Sequence, residues 1–242
     1  MRLNNRPHDQ LRTLTFKRRA TRNAPGSVLV HMGRTVVLCT CSVDEAVPPF
    51  LTGKGKGWLS AEYSMLPGST NTRKPRDRAG KVDGRSVEIQ RLIGRSLRAV
   101  VDLDRLGERT LWIDCDVLDA DGGTRTASIN GAFVAVVDAL HTRDDLFPNA
   151  AEIIRDSLAA VSVGLLENDE LLDLDYSEDK DVDVDLNLVM TGAGQFIEVQ
   201  GTGEEATFSR GQLDRLLKVG KVGIDAITAA QRKALGASWP LV

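Results

Sequence analysis

The sequence predicts an α+β fold in which helices pack against a mixed β-sheet, as a single domain spanning residues 1–242. Short runs rich in β-branched residues, joined by turns that contain glycine, predict antiparallel strands. Two longer stretches, 84–103 and 129–140, have the apolar spacing or the unbroken apolar character of helices. No internal repeat, long linker or low-complexity tract interrupts the 242 residues, which suffice for a core that is stable without disulfides.

The first 81 residues predict a short basic strand over 11–22, a hairpin formed by 27–31 and 35–41, and a further strand over 58–66. Residues 67–81 then contain almost no apolar side chains. Their basic residues are Arg73, Lys74, Arg76, Arg78 and Lys81. A basic loop of this length contacts a polyanion or forms a solvated flap, and we expect the polyanion contact.

The helix predicted over 84–103 has an apolar side and a basic side. Arg91, Arg95 and Arg98 fall within about 60° of one another, opposite the apolar residues. Because like charges at these spacings repel, we expect this stripe to bind the phosphates of a polyanion; a solvated helix face is the alternative. Arg85 lies at the predicted start of the helix, where the helix dipole favours an anion.

A glycine pair joins a strand ending near Val117 to the apolar helix. Gly122 and Gly123 can adopt positive φ, and the free N–H groups at a helix start attract anions. Thr124 adds a hydroxyl group, and Arg125 adds a forked guanidinium suited to phosphate. The pattern is neither a P-loop nor a Rossmann fingerprint, so it predicts a phosphate site or, alternatively, a plain capped turn.

Four aspartates alternate with Lys or apolar residues at the start of a predicted strand that continues to Met190: Asp179, Asp181, Asp183 and Asp185. On a strand, all four carboxylates would share one face. A Mg²⁺ site and an exposed acidic surface both fit this pattern. The preceding strand is predicted over 158–165 and the next hairpin turn over 191–194. A final helix begins at a Ser209/Gln212 capping box, with Gly220 and Gly223 as points of interruption.

Composition and charge narrow the function classes. Cys39, Cys41 and Cys115 lie in apolar runs without zinc-site spacing, and we expect reduced core residues. The three histidines are not beside a nucleophile. No apolar stretch reaches membrane-spanning length, so we expect a cytoplasmic protein. Residues 1–109 hold 21 Lys and Arg against 10 Asp and Glu, and residues 110–242 hold 10 against 24. This asymmetry indicates a basic surface for a polyanion beside an acidic surface for a metal, or mutual salt bridges between the halves.

Five motifs resemble those of the ribonuclease PH family, phosphate-dependent exoribonucleases that trim transfer RNA 3′ ends. They are GW with AEY (57–58 and 61–63), EIQRLIGR (88–95), DCDV (114–117), DGGTRTAS (121–128) and IEVQGT (197–202). The resemblance implies the ribonuclease PH fold and a ring-shaped homo-hexamer, a trimer of dimers. It also implies transfer RNA and other structured RNA as partners.

The same resemblance assigns roles to residues. It implies that Arg85, Gly123, Thr124 and Arg125 bind inorganic phosphate as the co-substrate, and that Asp179 and Asp185 are catalytic and hold Mg²⁺. Arg73 and Arg76 would bind RNA or neighbouring subunits. Gly68 stands where the family commonly has arginine, which predicts a weaker ring or weaker RNA binding. A catalytically silent RNA-binding ring subunit and a Mg²⁺-dependent hydrolytic nuclease remain as alternatives.

Overall fold

The computed structural model describes residue 2 and residues 5–76, 83–204 and 206–241, which contain two β-sheets and six α-helices. The first sheet has the order β1-β2-β3-β5-β4. Its strands are β1 (Leu14–Arg18), β2 (Gly26–Met32), β3 (Thr35–Asp44), β4 (Trp58–Met65) and β5 (Thr110–Asp119). Neighbouring strands are antiparallel except β4 and β5, which are parallel, so the predicted mixed sheet is confirmed.

The second sheet is antiparallel throughout and has the order β7-β6-β8-β9. Its strands are β6 (Leu158–Leu166), β7 (Asp169–Leu172), β8 (Val184–Thr191) and β9 (Phe196–Gly203). The helices are α1 (Gly84–Val100), α2 (Leu103–Leu106), α3 (Thr124–Thr142), α4 (Ala150–Ile153), α5 (Tyr176–Asp181) and α6 (Arg210–Leu235). In the described residues, no helix is long and apolar enough to cross a membrane.

Helix α3 is the central element, because it contacts β2 and β3 of the first sheet and β6 of the second. Nearly all its side chains are buried, which explains why its sequence is apolar on every side. The close approach of helix and sheet requires glycine at position 131. A Cβ atom there would lie 2.3 Å from Val30 Cγ2 and 2.7 Å from Cys39 Sγ. One hydrophobic core includes residues from both sheets; the division of the chain into domains stays a prediction.

The four-aspartate strand is the main error of the sequence prediction. Asp179 and Asp181 lie in helix α5, and β8 begins only at Val184. The helix forms because Asp175 and Glu178 make a capping box, in which each side chain accepts a hydrogen bond from the other residue's backbone N–H. Val182, which suggested strand alternation, packs against Leu171 and Leu174 after the helix ends.

The last helix also differs from the prediction. The Ser209/Gln212 capping box is confirmed, but α6 continues through both glycines to Leu235. Gly220 and Gly223 are buried instead of interrupting the helix. Added Cβ atoms would lie 2.7 Å from Leu188 Cδ2 and 2.7 Å from Leu172 Cδ1, respectively. The glycines therefore allow α6 to approach the second sheet closely.

Salt bridges join the basic half of the chain, residues 1–109, to the acidic half, residues 110–242. Mutual salt bridging, one of the two explanations offered for the charge asymmetry, therefore accounts for part of it. Arg2 and Arg6 pair with Glu178, and Arg12 pairs with Asp173. Arg18 pairs with Asp138 at the start of the first sheet. The three cysteines are buried and unbonded, as predicted.

Candidate active site

The glycine joint between β5 and α3 has the open geometry that an anion site needs. Gly122 and Gly123 have φ of 75° and 65°, and no side chain of a described residue caps α3, which begins at Thr124. A Cβ atom on Gly122 would lie 2.6 Å from the carbonyl carbon of Asp175, so the joint also lies against the start of α5. The N–H groups of the first turn of α3 are thus available to a ligand.

Two residues of the first sheet region hold this joint. Thr35 Oγ1 donates to the Gly122 carbonyl oxygen at 2.7 Å and accepts from the Asp121 N–H at 2.9 Å. The Arg12 guanidinium donates to the Asp121 carbonyl oxygen and, through Nη2, to Asp173 Oδ1 at 2.7 Å. Arg12, predicted only as part of a basic strand, therefore stabilises the glycine joint.

The two arginines predicted to bind phosphate come from different helices. Arg85 is exposed in the first turn of α1, where Asp83 is the N-cap residue. Arg125, in the first turn of α3, is only 14% exposed; its Nη1 donates to Gln200 Oε1 at 2.6 Å and lies 3.3 Å from Glu88 Oε1. Positive charge from both helices thus reaches the region of the joint.

Thr124, the first residue of α3, is oriented by a buried tyrosine. The Tyr63 hydroxyl group donates to Thr124 Oγ1 at 2.9 Å, and the Tyr63 side chain is almost fully buried. Thr124 is also buried. The hydroxyl of Thr124 keeps one hydrogen to donate, because the tyrosine contact uses it as an acceptor.

Asp179 and Asp185 are brought close enough for their charges to interact. Burial, followed by the charge of Asp179, raises the pKa of Asp185 to about 6. Asp185 Oδ1 is buried and has no hydrogen-bond partner in the described residues, while Oδ2 accepts weakly from Asn187 Nδ2 at 3.4 Å. A buried carboxylate oxygen without a partner is costly unless a proton or a cation satisfies it.

Asp179 has a different environment. Its side chain is exposed, yet enough protein surrounds the carboxyl group to raise its pKa by desolvation, and the charges of Arg85 and Arg125 oppose that rise. Because Asp179 contacts water and faces two arginines, it is the more readily ionised member of the pair.

Asp179 and Asp185 have different surroundings from Asp181 and Asp183. The alternation of residues along a predicted strand could not show this difference, because it places all four on one face. Asp181 is exposed at the end of α5, and Asp183 Oδ2 accepts from the Glu167 N–H at 3.1 Å. The described residues contain no group of three or more His, Cys, Asp or Glu side chains that could hold a metal. Two carboxylates can still hold Mg²⁺, which usually keeps several waters and substrate oxygens as ligands.

The arginines predicted to bind RNA fall into two groups. Arg73, Arg76 and Arg91 are exposed and make no ion pair with a described residue. Arg95 forms an ion pair with Glu198, and Arg98 donates to the Leu59 carbonyl oxygen at 2.9 Å. These two residues have protein partners, which neither the predicted phosphate-binding stripe nor the solvated face included. Arg78 and Lys81 lie outside the described residues.

Arg98 also stacks on an aromatic ring, since its guanidinium carbon lies 5.1 Å from the centre of the Trp58 ring. This contact and the bond to Leu59 attach α1 to β4. Gly68 lies in a turn after β4, and a Cβ atom there would meet no atom of a described residue within 4 Å. The described residues therefore leave room for the start of the arginine side chain that the resemblance leads us to expect at this position.

Family models match most of the chain. The model described as 3′ exoribonuclease family, domain 1, matches residues 10–140, and the model of domain 2 matches residues 156–223. The chain belongs to the 3′ exoribonuclease family. Ribonuclease PH of Rhodopirellula baltica is 56% identical over 235 residues, which cover 95% of this chain and 96% of that protein. Ribonuclease PH of Bacillus velezensis is 54% identical over 242 residues, 99% of each chain.

Two solved structures share the fold. Rice Rrp46 has a TM-score of 0.78 at 19% identity, covering 97% of this chain and 100% of that one. The Archaeoglobus fulgidus exosome with RNA bound to the active site has a TM-score of 0.75 at 22% identity, covering 96% and 92%. At these identities the likeness concerns the fold. The curated relatives confirm the predicted class of enzyme: the chain is a phosphorolytic 3′-to-5′ exoribonuclease.

Sequence reasoning did not assign a role to Tyr63, Glu88 or Gln200, although all three lie in the motifs that carry the family resemblance. Their contacts join residues that are far apart in the chain: 61 positions separate Tyr63 from Thr124, and 112 separate Glu88 from Gln200. A motif could flag these residues as constrained, but only the fold shows what they contact.

Proposed function

We propose that the chain removes nucleotides from the 3′ ends of transfer RNA and other structured RNA, with inorganic phosphate as co-substrate and nucleoside diphosphates as products. The single observation that carries this proposal is the uncapped start of α3, with Arg85 and Arg125 beside it and the Asp179–Asp185 pair nearby. A transfer RNA substrate would place the enzyme in the cytoplasm.

In this proposal phosphate binds at the glycine joint. The N–H groups around Gly123 and Thr124 would donate hydrogen bonds to its oxygens, and the guanidinium groups of Arg85 and Arg125 would balance its charge. Phosphate itself attacks the terminal phosphodiester, so the protein needs no side-chain nucleophile. Positioning and charge neutralisation then provide most of the rate enhancement, as in other phosphoryl transfers.

We propose that Asp179 and Asp185 act at the leaving 3′ oxygen and hold Mg²⁺. The unpartnered Oδ1 of Asp185 and the neighbouring Asp179 carboxylate supply oxygen ligands of the kind that this cation prefers. When bound, Mg²⁺ would neutralise negative charge that develops in the transition state. A carboxyl group of the pair in its protonated form would donate a proton to the leaving oxygen.

We further propose that Arg73, Arg76 and Arg91 bind RNA phosphates, since they are exposed and make no ion pair with a described residue. Arg95 and Arg98 would join them only after exchanging protein contacts for RNA. The assembly would be a homo-hexamer built as a trimer of dimers. Family resemblance supports this assembly, and sedimentation would measure it directly.

Product analysis tests the proposed reaction. With phosphate present, a structured RNA with a 3′ extension should yield nucleoside diphosphates, and without phosphate it should yield almost no product. Arg125→Ala should lower the phosphate-dependent rate by about 10-fold or more, because it removes a charge-assisted contact worth roughly 1.5–3 kcal/mol. Monophosphate products would support hydrolysis instead, and RNA binding without products would support a silent ring subunit.

A further inference from the structure

Arg125 uses one edge of its guanidinium for protein contacts. Nη1 donates to Gln200 Oε1 at 2.6 Å and lies 3.3 Å from Glu88 Oε1. Within the described residues, Nε and Nη2 have no protein acceptor. A guanidinium donates through a rigid planar fork, so fixing Nη1 also fixes the direction in which the other N–H groups point.

The orientation of the Gln200 amide depends on Glu88. Gln200 Nε2 donates to Glu88 Oε1 at 2.9 Å. An ionised carboxylate accepts hydrogen bonds and cannot donate them, so the amide nitrogen must face Glu88 and the amide oxygen is left to face Arg125. The hydrogen bond from Gln200, together with the charges of Arg125 and Arg85, lowers the pKa of Glu88 and keeps it ionised at neutral pH.

The three residues come from three separate elements: Glu88 from α1, Arg125 from α3 and Gln200 from β9. Their contacts therefore connect α1, α3 and the second sheet at the glycine joint. A second contact between α1 and β9, the Arg95–Glu198 ion pair, does not include Arg125. Helix docking can thus be separated experimentally from the orientation of Arg125.

We propose that Glu88 and Gln200 are positioning residues that hold Arg125 with Nε and Nη2 directed at the attacking phosphate. Through this contact they set the affinity of the enzyme for phosphate and leave its affinity for RNA unchanged. The inference rests on the proposed role of Arg125 in phosphate binding. A bidentate contact from Nε and Nη2 requires the guanidinium plane to be aligned before phosphate arrives, which is the preorganisation that the two side chains supply.

The first test measures KM for phosphate and KM for RNA separately in Gln200→Ala and Glu88→Gln. Loss of the aligned contact should raise KM for phosphate about 10-fold and leave KM for RNA within about twofold of the wild type. Glu88→Gln nearly preserves shape, but its amide can donate to Gln200 Oε1 and so allow the Gln200 amide to turn its nitrogen toward Arg125. The matched control is Glu198→Gln, which breaks the other α1–β9 contact and should leave KM for phosphate unchanged.

A double-mutant cycle then asks whether Gln200 acts through Arg125. In the Arg125→Ala background, assayed at enzyme concentrations that give a measurable residual rate, Gln200→Ala should cause no further rise in KM for phosphate. Additive effects, an equal rise in KM for RNA, or an equal effect of Glu198→Gln would overturn the inference. Phosphate-independent trimming by the wild type would instead refute the proposed function. A phosphate-dependent wild type with unaltered Gln200 and Glu88 variants would reject only the positioning roles.

Discussion

Replacing Asp185 by asparagine should stabilise the protein while removing most of its activity. The pKa of Asp185 is raised from its usual 3.8 to about 6, so its ionised form destabilises the folded state. A shift of about two units corresponds to about 3 kcal/mol at neutral pH, which is an upper value because solvent and structural relaxation reduce it. For a chain of this size, that free energy corresponds to a rise in Tm of roughly 6–12 °C.

The sign of the effect follows from proton binding. The folded chain binds the Asp185 proton more tightly than the unfolded chain does, so this group contributes stability that is present below about pH 4 and is lost as pH rises through about 6. The difference in Tm between Asp185→Asn and the wild type should therefore be near zero at pH 4 and reach its maximum above pH 7.

Thermal unfolding in EDTA, across pH 4–8, measures this difference without bound divalent cations. Asp183→Asn is the matched control, because Asp183 is exposed and accepts a hydrogen bond from Glu167, so it should show no gain at high pH. Adding Mg²⁺ should reduce the advantage of Asp185→Asn if the wild-type pair binds the cation. An unchanged or lower Tm for Asp185→Asn at pH 7.5 would refute the reasoning.

Three further predictions concern the candidate carboxylate pair and the candidate RNA surface. Asp179→Asn and Asp185→Asn should each abolish most turnover, and the turnover rate of the double variant should be little lower than that of the poorer single variant. Fully additive rate losses would argue against a shared site. Replacing Arg73 or Arg76 by alanine should flatten the salt dependence of RNA binding by about one unit per lost contact, and unchanged slope together with unchanged sedimentation would exclude both proposed roles. Gly68→Arg should strengthen RNA binding or stabilise the ring, because the site has room for a side chain, and Gly68→Ala should do neither. Equal affinities for RNA and equal assembly masses for the two variants would contradict this prediction.

The fold class and several local structures could be predicted from the sequence because local interactions determine them. The β2–β3 hairpin and the capping box of α6 each depend on residues within a few positions of one another. Helix α5 was missed although its Asp175/Glu178 capping box is equally local, because the alternating aspartates that follow this box resemble a strand. Its Glu178 side chain is also held by Arg2, which lies 176 positions away in the sequence. No local pattern contains that contact.

The candidate site also contains some residues that local sequence predicts and others that it does not. The glycine pair and Arg125 follow from local chemistry, because positive φ and a free helix start are properties of a short segment. Spacing alone could not single out Asp179 and Asp185 among four aspartates, and the family resemblance selected them. Their separation from Asp181 and Asp183 results from the break between α5 and β8, which the strand prediction did not contain.

The buried arginines of the N-terminal segment connect this fold to its chemistry. Glu178 and Asp179 are adjacent on α5, so their side chains point about 100° apart. Glu178 faces inward to Arg2 and Arg6, and Asp179 is left on the side exposed to solvent. Arg12 meanwhile joins Asp173, just before α5, to the carbonyl oxygen of Asp121 at the glycine joint. Because breaking a buried ion pair costs about 3–5 kcal/mol, these arginines constrain the distance between the candidate phosphate site and the candidate carboxylate pair. Part of the basic charge that suggested RNA binding therefore holds α5 and the glycine joint in place instead.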